Sequence, residues 1–113
     1  MSDKLFARLW QDALAQPDKE MYIAEYGDPE WFDEISTDLD EVIKCLSSIH
    51  DVAHMSIKDI LSRSGLTQAA FAVRFCIPLR TVENWATEKR ECKDYDRLMF
   101  ARLLGLLGGV DHE

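Results

Sequence analysis

The chain has 113 residues, enough for one compact domain or two small ones sharing a core. Apolar residues make up 47% of it and there are three Trp, which excludes a disordered chain and suits a folded globular protein. A net charge of −8 argues against a simple polyanion binder, because phosphate contacts want positive charge.

Helical signals dominate in chain order, and no run alternates like a strand. Leu5, Phe6, Leu9, Trp10, Ala13 and Leu14 recur at helical spacing after Ser2 or Asp3 as cap. Pro17-Asp18 ends that helix and starts another, DKEMYIAEYG, closed by Gly27. Asp28-Pro29 opens a short acidic helix, PEWFDEI, whose first turn suits its carboxylates. Thr37 or Asp38 then caps a longer helix with Leu39, Val42, Ile43, Leu46 and Ile49 on one face. Ser56 begins SIKDILSRSG, with Ile57, Ile60 and Leu61 inward and Gly65 as the stop. Two short helices follow over residues 67–75 and 79–87, and a last one over 94–107 ends near Gly108-Gly109. The fold expected is therefore all-α, an acidic helical region over 1–52 followed by a second domain over 53–113.

Charge divides along the same line. Residues 1–56 hold four Lys/Arg against thirteen Asp/Glu, whereas residues 57–113 hold nine against eight. Cys45, Cys76 and Cys92 are widely spaced and form no C-x-x-C pair, poor material for a disulfide framework or a four-ligand zinc site. His50 and His54 stand one helical turn apart, a spacing compatible with metal, but no third ligand is evident and no metal or cofactor is expected. No Ser/Cys–His–Asp set, Gly-rich phosphate loop or cofactor box is readable, so an enzyme is not expected. No segment is long and apolar enough for a bilayer. The start, MSDKLFARLWQD, lacks the basic opening and uninterrupted apolar centre of a signal peptide, so a cytoplasmic location is expected.

Residues 67–90, TQAAFAVRFCIPLRTVENWATEKR, are the most informative stretch. Phe71, Ala72, Phe75, Ile77, Val82 and Trp85 can converge on one core, leaving Gln68, Leu79, Arg80, Thr81, Glu83 and Asn84 outward. The segment resembles the helix-turn-helix of the lambda repressor and Cro superfamily through the whole motif. Thr67-Gln68 sits where that family opens its second helix, and Phe71-Ala72 matches its bulky-then-small packing pair. Ile77 follows the turn, Thr81-Val82 and Trp85 fit the third helix, and Lys89-Arg90 resemble a basic pair that commonly follows. Three positions depart from the pattern: Cys76 and Glu88 stand where the family often has Gly, and Pro78 where a Ser or Thr cap is common. Proline is acceptable there, since its fixed φ suits a first helical turn.

The resemblance implies sequence-specific binding of double-stranded DNA by a small dimeric regulator, most often a repressor. Leu79, Arg80, Glu83 and Asn84 would then face base edges, with Arg80 suited to guanine and Asn84 to adenine. Thr67, Gln68, Thr81, Lys89, Arg90 and Lys93 would contact phosphates. The last helix is apolar on more than one face, and Met99, Phe100, Leu103, Leu104 and Leu107 are expected to form a homodimer contact. A two-fold pair would set two reading helices about 34 Å apart. The alternative is a protein-interaction module, such as an antitoxin or adaptor, gripping a basic partner through Trp31 and Phe32 of the acidic region.

Overall fold

The computed structural model describes residues 1–27 and 29–106. Among the described residues every regular element is helical: seven α-helices and one 3-10 segment. None is long and apolar enough to cross a membrane. The chain divides into two compact units, Met1–His54 and Met55–Leu106.

In the first unit, α1 (Asp3–Ala15) starts because the Ser2 hydroxyl accepts from the Leu5 amide at 3.1 Å, satisfying a donor that the helix itself cannot. Asp18 does the same for α2 (Lys19–Ala24), its carboxylate accepting from the amides of Glu20 and Met21 at 2.9 and 3.2 Å. Among its described residues, the acidic stretch after Gly27 forms a 3-10 turn, Glu30–Glu34, in place of an α-helix. Asp38 caps α3 (Leu39–Ala53) through the Asp40 amide at 3.0 Å.

α1 packs on α3 and α2, and Phe6, Leu9, Trp10, Tyr22, Val42, Leu46 and Ile49 close the core. Each such side chain stabilises the fold by about 1.5–3 kcal/mol relative to exposure. Leu39 and Ile43, expected on this inner face, are instead exposed. The buried face of α3 is set by Cys45, His50, Val52 and Ala53 as well, and centring on those turns Leu39 and Ile43 outward. His50 explains the rotation. Its Nε2 lies 2.6 Å from the Gln16 carbonyl oxygen, and Nε2 of His54 lies 2.7 Å from that of Ala13. Two imidazoles thus donate to carbonyls at the end of α1, where the Ala13 carbonyl also accepts from the Gln16 amide at 3.3 Å.

The second unit holds α4 (Ile57–Arg63), α5 (Gln68–Phe75), α6 (Leu79–Ala86) and α7 (Asp94–Leu104). Ser56 and Thr67 cap α4 and α5, accepting from the amides of Asp59 at 3.1 Å and Ala70 at 3.0 Å. Their core is Ile57, Ile60, Leu61, Phe71, Ala72, Val82, Trp85, Cys92 and Phe100. Phe100 is its hub, with ring centroids 4.9 Å from Phe71 and from Phe75 and 5.7 Å from Trp85.

Three of these helices end in the same way. After α5 the Ile77 amide donates back to the Ala72 carbonyl at 2.9 Å and the Cys76 amide to Val73 at 3.3 Å. After α6 the Lys89 amide donates to Asn84 at 2.9 Å and the Glu88 amide to Trp85 at 3.2 Å. After α7 the pair is Leu106 to Ala101 and Gly105 to Arg102, at 3.2 and 3.3 Å. This crossed pair of bonds requires a left-handed residue beyond the helix. Gly105 supplies it without strain at φ 67°, but Cys76 (φ 56°) and Glu88 (φ 62°) supply it with a Cβ in the way. Gly105 also ends α7 sooner than expected, and the Gly108-Gly109 stop lies outside the described residues.

Candidate nucleic-acid interface

Two eight-residue helices and the turn Cys76-Ile77-Pro78 form the centre of the candidate site. Pro78 precedes α6 with φ −57° and makes no side-chain cap, consistent with a ring that presets the first turn. Val82 and Trp85 anchor α6 in the core, so the opposite side of a single short helix is left outward. Leu79, Arg80 and Glu83 are exposed, and Asn84 is half-buried. The Asn84 carbonyl accepts from the amides of both Lys89 (2.9 Å) and Arg90 (3.3 Å), and the Thr87 hydroxyl donates to the Glu83 carbonyl at 2.9 Å. The end of α6 and the basic pair after it are therefore held as one backbone unit.

The remaining phosphate candidates fall into different surroundings. Gln68, Lys89, Arg90 and Lys93 are exposed. The Thr67 hydroxyl accepts from Ala70 as helix cap, which leaves its own proton to donate outward. Thr81 is half-buried and lines a groove of about 340 Å³ with Phe75, Ile77, Pro78, Met99 and Leu103, away from the row of Arg80 and Glu83.

Met55–Leu106 carries nine Lys/Arg against six Asp/Glu, so this unit alone is basic. Several of its arginines are committed internally. Arg97 donates to the Met55 carbonyl at 2.6 Å and to Asp94 at 2.5 Å. Arg74 donates to the Leu103 carbonyl at 3.2 Å with its guanidinium 5.5 Å from the Phe75 ring. Arg80, Lys89, Arg90 and Lys93 stay on the surface, with Glu83, Glu88 and Glu91 among them. The local positive field is modest.

On α7, Met99 and Leu103 are exposed as a contact face requires, but Phe100 is 3% exposed and belongs to the core. Leu104 is half-buried against the same core. One residue along a helix is a 100° step, enough to carry Phe100 from the free side to the packed side. Leu107 lies outside the described residues. Tyr95, which sequence reasoning missed, is 62% exposed and completes an i, i+4, i+8 row with Met99 and Leu103. Its helical spacing from Met99 and Leu103 is the signal that could have found it.

Trp31 and Phe32 are not free anchors. Phe32 is buried, and Trp31 is half-buried, edge-on to Tyr26 at 5.1 Å and to Phe32 at 4.8 Å, with the Arg8 guanidinium 5.8 Å from its ring. Of the cysteines, Cys76 is exposed in the turn, whereas Cys45 and Cys92 are buried. Burial first, and then the charge of Asp96, push the Cys92 thiol up to about 12, so it stays protonated. No protein-family model matches the chain, and no match was found among curated proteins or solved structures.

Proposed function

We propose that Met55–Leu106 is a lambda-repressor-like helix-turn-helix domain that binds duplex DNA sequence-specifically, and that the chain acts as a small dimeric transcriptional repressor. The observation that carries this reading is α6: one helix with Val82 and Trp85 buried and Leu79, Arg80 and Glu83 exposed on its other side. A helix of that width enters a major groove, where Arg80 reads guanine O6 and N7 and Asn84 reads adenine. Lys89, Arg90 and Lys93, just beyond the helix, neutralise phosphates in register with it. Gln68 and Thr67, at the start of α5, add polar donors.

The modest positive charge favours weak binding per subunit and therefore a pair of subunits. The row Tyr95, Met99 and Leu103 on α7 supplies apolar surface for that pairing. Selection from a random duplex pool tests the reading. A two-fold related site should be recovered, and log affinity should fall linearly with log salt, with a slope of about −0.9 per phosphate neutralised. No enrichment even at low salt would sink the proposal.

A further inference from the structure

The groove of about 340 Å³ between the start of α6 and α7 is mostly apolar, and its two charged residues, Arg90 and Asp96, are of opposite sign. Its size lies at the small end of the range of about 300–1,000 Å³ for ligand pockets, which suits one inserted side chain better than a large molecule. Asp96 is half-buried, and among the described residues its carboxylate accepts no hydrogen bond and pairs with no cation. A carboxylate held partly out of water is costly without a donor, so the groove lacks one. Met99 and Leu103 line the groove and also belong to the exposed row that Tyr95 begins. Tyr95 is 62% exposed, lies outside the groove of its own copy, and its phenol has no partner among the described residues. An unpartnered aromatic donor and an apolar groove with an unpartnered acceptor therefore share one face of the unit.

We propose that a second copy of this chain fills the groove with its Tyr95, whose phenol donates to Asp96, and that pairing is thereby coupled to α6. This rests on the pairing through α7 proposed above and names what that pairing docks into. Tyr95 and Asp96 are neighbours on α7, a 100° step apart, so the ring of one copy does not enter its own groove. A two-fold pair fills both grooves at once with the same contact. One cation and one anion make the groove complementary to itself, whereas a strongly charged partner would meet a like charge. Pro78 and Thr81 line the groove too, so a side chain seated there bears on the first turn of α6 and fixes how that helix is presented.

The test is sedimentation equilibrium of the full chain without DNA, with an amide NMR dilution series beside it. Tyr95→Ala should weaken self-association at least about tenfold and Tyr95→Phe about fivefold. With Asp96→Ala already in place, Tyr95→Phe should add a loss of less than about twofold, because the two groups act as one pair. Dilution should move the amides of Ile77 and Thr81 together with that of Met99. A monomer at every concentration would overturn this docking together with the pairing it rests on, and would leave the groove to a different partner. A dimer indifferent to Tyr95→Ala, or one whose dilution leaves Ile77 and Thr81 unmoved, would overturn the docking alone. An equal loss from Tyr95→Phe with and without the Asp96 carboxylate would overturn the placement of the phenol.

Discussion

Replacing Cys76 by glycine should stabilise the second unit. Cys76 sits at φ 56°, ψ 43°, where a Cβ crowds the following carbonyl and costs about 1–2 kcal/mol for an L-residue. Glycine avoids that clash but loses more freedom on folding, by about 0.5–1 kcal/mol. The thiol is exposed, so its loss takes little away. A net gain of about 0.5–1 kcal/mol remains, equivalent to about 2–8 °C in Tm for a unit of this size. Thermal unfolding followed by circular dichroism measures it, and slower amide exchange at Phe71 and Val82 would localise the gain to α5 and α6. Cys76→Ala is the control: it keeps the Cβ at the same φ and should lie within about 0.5 kcal/mol of the parent. If glycine and alanine behave alike, or glycine destabilises, left-handed strain at the turn is not the reason and the argument fails.

Glu88→Gly acts on the second strained helix end and should add a gain of similar size; it also removes a carboxylate near Lys89 and Arg90, so DNA affinity should rise at low salt and the rise should shrink as salt is added. Arg80→Ala should relax specificity at one base pair by about 1–3 kcal/mol, whereas Lys89→Ala should weaken all duplexes alike and reduce the salt slope by about one; a uniform loss from Arg80→Ala would contradict its base-reading role. Iodoacetamide should alkylate Cys76 in the native protein and leave Cys45 and Cys92 intact until denaturant is added, read by mass spectrometry of the peptides. His50→Ala leaves the Gln16 carbonyl without its donor and opens a void beneath α1, so a loss of about 2 kcal/mol is expected in urea titration. Leu103→Glu should lower the association constant in sedimentation without changing monomer stability, because Leu103 is 59% exposed.

Much of the local structure is dictated by residues close in sequence. Ser2, Asp18, Asp38, Ser56 and Thr67 mark helix starts because a short side-chain oxygen satisfies amides two or three residues on, and no distant partner is needed. The apolar spacing of residues 71–85 likewise selects Phe71, Ala72, Val82 and Trp85 for one core, because burial on a short helix follows its period. The all-helical class follows from the same local signals.

Tertiary structure decided what local period leaves degenerate. α7 is apolar on more than one face, so the packing of Phe71, Phe75 and Trp85 selects Phe100 as the inward side and leaves Tyr95, Met99 and Leu103 outside. α3 turns to bring His50 and His54 to carbonyls 34 and 41 residues away, a bond no sequence window contains, and Leu39 and Ile43 are exposed in consequence. Cys76 and Glu88 are left-handed although neither residue prefers it, because the core on both sides of each turn holds the backbone there against a local preference of only about 1–2 kcal/mol.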